Sequence, residues 1–282
     1  MALYSSLASL SQTAASNAAD GSVDAPSTID QQTNLLASFV AQLRDGIGFT
    51  GQLGTKNRIR NGNFAINQRV KTGTVTLAAG VYGHDGWKAG ALGCTYTFAT
   101  SGLDTTVTIS AGSLVQTIEA ADVEGGNYVM SWTGTSTGKI GGGAFSASGV
   151  TATGVTASAN LTVEFSTGTV GLVQLEPGAN ASVFERRSYL VELARCQRFY
   201  ETGSAWFNGY AGAGGIPFAY AIPFKVPKAS GTPTLTYATG TAVNVSVFDA
   251  RNPSFDCLRW YCTSTGAGAV QWDGAWTASS EL

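Results

Sequence analysis

The feature that most constrains this chain is a series of short runs, beginning after Lys56, in which apolar and polar residues alternate. Val75-Thr76-Leu77, Thr95-Tyr96-Thr97-Phe98, Thr106-Val107-Thr108-Ile109, Tyr128-Val129-Met130-Ser131-Trp132, Leu161-Thr162-Val163-Glu164-Phe165 and Gly171-Leu172-Val173-Gln174-Leu175 are such runs. Alternation of this kind gives an extended strand one apolar and one polar face. Glycine- and aspartate-containing segments such as Ala121-Asp122-Val123-Glu124-Gly125-Gly126-Asn127 separate the runs and suit tight turns. No helix of crossover length interrupts the series, so a parallel α/β sheet is disfavoured and a mainly β fold of antiparallel strands is expected. Further strands are expected at 218–226, 234–237, 243–248, 258–262 and 269–272. Composition agrees: there are 36 glycines, and charged residues make up 12% of the chain, about half the usual share.

Two segments break the alternation. Thr28 and Gln31 have capping-box spacing, with Ser27 and Asp30 as a competing pair. Apolar residues at Leu35, Leu36, Phe39, Val40 and Leu43 then fall on one face, and Gly46 and Gly48 follow. This predicts an amphipathic helix over 28–45, about 27 Å long. Its stripe has no apolar partner in the flanking sequence, so it is expected to pack on copies of itself or on a neighbouring protein. A homotrimer fits, although so short a stripe does not set the number of strands. The second segment, 188–200, predicts a helix that Ser188 can cap, with Tyr189, Leu193, Cys196 and Tyr200 on one face. Three regions result: an N-terminal attachment segment at 1–50, a β-sandwich at 51–187, and the short helix with a smaller C-terminal β domain at 188–282.

Several chemistries lack their residues. The only histidine is His84, and there is no Gly-x-Ser-x-Gly elbow or P-loop. The four cysteines, Cys94, Cys196, Cys257 and Cys262, contain no CxxC pair, so a zinc site is disfavoured and buried free thiols are expected. The net charge of −2 comes with no basic stripe, which argues against a nucleic-acid partner. No apolar run approaches the roughly 20 residues that span a bilayer. The N-terminus lacks the pattern of a secretory signal, so synthesis in a cytoplasm is expected.

Residues 57–69, Asn57-Arg58-Ile59-Arg60-Asn61-Gly62-Asn63-Phe64-Ala65-Ile66-Asn67-Gln68-Arg69, resemble the opening of a module found in phage tail-fibre and related virion proteins. Asp85-Gly86-Trp87 follows at the expected place. Val173-Gln174-Leu175-Glu176-Pro177-Gly178-Ala179-Asn180-Ala181-Ser182-Val183-Phe184-Glu185-Arg186-Arg187 resembles the module's closing strand and exit, and Leu193-Ala194-Arg195-Cys196-Gln197-Arg198-Phe199-Tyr200 resembles the segment after it. Residues 11–30 are also similar to phage fibre N-termini. The resemblance implies a jelly-roll sandwich like that of carbohydrate-binding modules. It further implies a location in the virion, other virion proteins as partners, and host cell-surface glycan as a ligand. It allows a structural calcium near Asp85, Asp122 or Glu124, although no cofactor is required.

Glycan binding needs flat aromatic faces beside amides and carboxylates. Trp206 and Tyr210 sit in a glycine-rich, loop-like run, and Trp272 and Trp276 flank Asp273-Gly274, which suggests a hairpin turn. These four are the candidate ligand-binding residues. The expected function is a non-enzymatic, tail-associated virion fibre or spike that binds host glycan. The alternatives are a purely structural head fibre, decoration or tail adaptor protein, and, less favoured, a polysaccharide-degrading spike. The last would need a carboxylate pair such as Asp122 with Glu124, or Asp249 with Asp256.

Overall fold

A computed structural model describes residues 33–34, 36–38, 40–41, 56–251 and 253–282. The chain is mainly β, as the alternating runs require. Its elements are β1 (Val75–Leu77), β2 (Lys88–Ser101), β3 (Asp104–Ile118), β4 (Gly126–Thr133), β5 (Gly138–Ile140), β6 (Val150–Val155), β7 (Leu161–Phe165), β8 (Gly168–Pro177), α1 (Tyr189–Gln197), β9 (Tyr200–Ala211), β10 (Pro217–Pro223), β11 (Thr234–Val243), β12 (Val245–Arg251), β13 (Cys257–Ser264) and β14 (Gly268–Ser279). All the strand pairs among them are antiparallel.

The first eight strands form one connected sheet in the order β1-β2-β3-β8-β4-β6, with β7 joining β3 to β5. β8 pairs with β3 through residues 168–170 and with β4 through residues 171–177. The sheet therefore turns over at β8, and its two halves share one core. Trp132 of β4 meets Phe165 of β7 edge-on at 5.0 Å across that core. Trp87, Tyr96, Ile109, Tyr128, Met130, Val163 and Leu175 fill the rest.

The segments that resembled a fibre module meet in space and hold this core closed. Asn57 donates through Nδ2 to the Val173 carbonyl, and its Oδ1 accepts from the amides of Ile59 and Leu175. Asn61 lies in the left-handed region at φ 51°. It bonds Ile66 in both directions and also donates to the Asp85 carbonyl. Gly62 admits no side chain, because a Cβ would lie 2.3 Å from the Val173 carbonyl oxygen. Arg187 donates to the Asn57 and Ile59 carbonyls, and Arg186 forks onto Asp104 at 2.6 and 2.7 Å. These residues are occupied with the fold.

The remaining strands form two three-stranded sheets, β10-β13-β12 and β11-β14-β9, around a second core. Trp260 of β13 and Trp272 of β14 pack at 5.0 Å where the two sheets face each other. Residues 280–282 return to the first core. Leu282 accepts from Tyr82 and Lys88, and Glu281 pairs with Arg69 at 2.8 Å.

Two helix expectations change. The second helix spans Tyr189–Gln197, shorter than 188–200, because Tyr200 is already paired in β9 opposite Ser279. Ser188 occupies the N-cap but makes no side-chain cap bond. The buried face is also polar, with Glu192, Cys196 and Gln197 inside and Tyr189 exposed. Glu192 is drawn inward by the Asn61 amide at 2.5 Å and by Arg187 at 3.2 Å. Of the N-terminal helix, the described residues within 33–41 are helical, with Leu36 exposed and Ala37 and Ala41 buried. Val40 is half-buried. Leu35, Phe39 and Leu43, and most of 28–45, lie outside the described residues.

Candidate site on the outer face of the C-terminal sheet

Strand β9 alternates strictly over residues 204–210, with Ser204, Trp206, Asn208 and Tyr210 exposed and the residues between them half-buried. Trp206 is 73% exposed and Tyr210 75%. Both project from the outer face of the β11-β14-β9 sheet, four residues apart, which is about 14 Å along an extended strand. The register places Trp206 opposite Asp273, Asn208 opposite Gln271 and Ser204 opposite Ala275. Asp273, Gln271 and Ala275 are exposed as well.

A shallow open groove runs beside Trp206, with Ala238, Gly240, Gly274 and Ala275 along it and Asp273 in it. The small residues keep the surface flat. Asp273 is held by one oxygen: Oδ1 accepts from the Thr241 amide at 2.7 Å. That contact is open because residue 240 is glycine, whose Cβ would fall 1.9 Å from Oδ1. Oδ2 accepts no hydrogen bond among the described residues. The face thus offers two apolar rings with a carboxylate, two side-chain amides and a hydroxyl around them. Such a set can cover the apolar side of a sugar and bond its hydroxyls.

The other two candidate rings are not on this face. Trp272 and Trp276 are each 4% exposed and sit in the second core, Trp272 stacked near Phe207 at 6.1 Å and Trp276 near Phe224 at 5.7 Å. Asp273-Gly274 is not a hairpin turn. It lies inside β14, which is the central strand and is paired on both edges. Nor is the run from 203 to 211 a loop, since it is most of β9. Sequence reading missed Ser204, Asn208, Gln271 and Asp273, although the two-residue period of Ser204-x-Trp206-x-Asn208-x-Tyr210 was visible.

The carboxylates considered for calcium are engaged by cations of the chain. Asp85 accepts from the Gln68 amide and side chain and lies 3.6 Å from Arg69. Glu124 pairs with Arg58 and accepts from Tyr128, and Asp122 lies 3.7 Å from Arg195. Among the described residues, no cluster of three or more His, Cys, Asp or Glu side chains could hold a metal ion. All four cysteines are free. No helix among the described residues is long and apolar enough to cross a membrane.

His84 is 2% exposed and its Nδ1 lies 2.9 Å from the Tyr96 hydroxyl. Burial, reinforced by the charge of Lys71, lowers its pKa to about 4. The unfolded chain takes up a proton near pH 6.5 and the folded chain does not until about pH 4. Stability contributed by this site therefore falls as pH drops through that window, by about 3 kcal/mol in full, and levels off below it. Urea midpoints between pH 7 and 4 should decline more steeply for the wild type than for His84→Gln. Burial raises the pKa values of Asp85 and Glu281, which act in the opposite sense and cancel in that difference. Parallel profiles would refute the assignment.

Neither protein-family models, nor curated proteins, nor solved structures give a match to this chain.

Proposed function

We propose that this chain is a non-enzymatic bacteriophage virion fibre or spike protein, tail-associated, whose C-terminal sheets present a glycan-binding face to the host surface. The observation that carries the reading is the placement of Trp206 and Tyr210. They stand exposed on one flat sheet face with Asp273, Asn208 and Gln271 beside them, while every other tryptophan is buried. A ring separation of about 14 Å exceeds one sugar ring, so the ligand is an oligosaccharide lying along β9. The N-terminal segment would attach to other virion proteins, with a trimer around the stripe expected over 28–45.

Trp206→Ala removes only exposed surface and should leave the fold unchanged. It is expected to weaken binding to purified host polysaccharide by roughly 30-fold, the effect of losing one hot-spot ring. Calorimetric titration measures this directly. Phage carrying Trp206→Ala with Tyr210→Ala should assemble and fail to adsorb. Unchanged affinity and adsorption would overturn the proposal.

The purely structural reading draws on a different surface. Tyr189, Leu190 and Val191 of α1 are 61%, 75% and 52% exposed, and apolar residues grouped in this way suit an interface. Particles that fail to assemble when these three are replaced by Ser, together with normal adsorption by the Trp206 variant, would favour it.

A further inference from the structure

A cleft between the first core and α1 is lined by Arg58, Arg60, Arg187, Arg195, Arg198 and Phe199. The acids in its wall are Glu119 and Asp122, and Glu124, Glu185 and Glu192 also pair with its arginines. Three of the guanidiniums are committed. Arg58 pairs with Glu124, Arg198 forks onto Glu119 at 2.7 and 3.0 Å, and Arg187 lies between Glu185 and Glu192 at 3.3 and 3.2 Å. The other two are held more loosely. Arg195 has Asp122 at 3.7 Å and a long bond of 3.4 Å to the Asn57 carbonyl. Arg60 is 3% exposed, and neither its Nε nor its Nη2 has a hydrogen-bond partner. Its guanidinium carbon lies 3.7 Å from the centre of the Phe199 ring, and no ion pair of Arg60 occurs among the described residues. Glu281, whose field reaches Arg60, is held by Arg69.

Guanidinium does not lose its proton in proteins. A buried one whose N–H groups find no acceptor is unfavourable, and native interiors answer such a group with an ion or water. Two under-used planar forks beside an aromatic floor match the geometry of a carboxylate or phosphate. We propose that this cleft binds a small anionic group, a carboxylate or a phosphate, through Arg60 and Arg195. The site is separate from the glycan face on β9 and does not depend on it.

Thermal unfolding of the full chain tests this with sodium phosphate, sodium glucuronate, and sodium chloride at matched ionic strength. Phosphate, glucuronate or both should raise the melting temperature by about 3–6 °C at ten times the dissociation constant, beyond any effect of chloride. A response to phosphate alone identifies a phosphate-bearing ligand, and a response to glucuronate alone an acidic sugar. Arg195→Gln should abolish the shift. Arg60→Met should abolish it too, and without anion it should melt no lower than the wild type, because two buried donors that lack acceptors have gone. If chloride reproduces the shift, if neither anion produces one, or if both variants keep it, the site does not exist.

Discussion

Replacing Glu201 by Ala should destabilise the C-terminal sheets by about 3–5 kcal/mol, the cost of leaving one partner of a buried ion pair alone. Glu201 and Lys228 are both 0% exposed at their side chains and meet at 2.5 Å. The pair sits where α1 hands over to β9. Lys228 also donates to the carbonyls of Gln197 and Val226, and Glu201 accepts from the Lys225 amide at 3.1 and 3.3 Å. Burial lowers the pKa of Lys228, and Glu201 pushes it back up. Without Glu201 only the depression remains. The unfolded lysine would then hold its proton at pH values where the folded one has lost it, so the variant should regain stability as pH rises toward 10. Glu201→Leu combined with Lys228→Met removes both charges and should recover most of the loss. Urea unfolding of the three proteins decides the matter. A double variant as unstable as Glu201→Ala would show that the pair's worth lies in packing rather than in charge compensation.

The strands were legible because half-buried antiparallel strands write their two faces into the sequence. What the alternation could not convey was which glycines end a strand and which lie within one. The run from Gly203 to Gly212 has the composition of a loop, yet most of it is β9. Two of its glycines are places where a ring needs the space: a Cβ on Gly203 would fall 2.4 Å from the Trp276 ring, and one on Gly209 2.7 Å from Phe207. Asp273-Gly274 has hairpin chemistry, but Gly274 instead lets the Ala238 carbonyl approach, with a Cβ there at 2.7 Å. Local turn preference gave way to pairing on both edges of a central strand. The same two errors misplaced the rings. Trp272 and Trp276 belong to the core because they fall on the inner face of β14, and Trp206 and Tyr210 are exposed because they fall on the outer face of β9. The arginine cleft was not legible at all, since its arginines come from two segments more than 100 positions apart in the chain. Only the fold shows which of the arginines find acids.

Trp87→Ala should be about as costly as loss of the buried pair, at about 3–5 kcal/mol, and it tests what the fibre-like motif segments are for. Trp87 is fully buried, stacks on Phe64 with ring centroids 4.8 Å apart, and donates from Nε1 to the Asn61 carbonyl at 3.1 Å. Asn61 in turn holds Ile66, Asp85 and, through its amide, Glu192 of α1. Removing the ring leaves a cavity against Phe64 and Phe165 and leaves the Asn61 carbonyl with the Phe64 amide as its one remaining donor. Trp87→Phe keeps much of the apolar volume and loses the hydrogen bond, so it should cost about 1–3 kcal/mol. The order Ala, Phe, wild type in urea midpoint is the expected result. A phenylalanine variant as unstable as the alanine one would make the Nε1 bond, rather than the ring, the element that fixes Asn61. In either case these residues face the first core and not solvent. Wherever the variants remain folded, polysaccharide binding at Trp206 should stay within a factor of about two of wild type, as expected for distant, independent sites. A loss of binding that tracked the motif residues in folded protein would move the functional face to the first sheet.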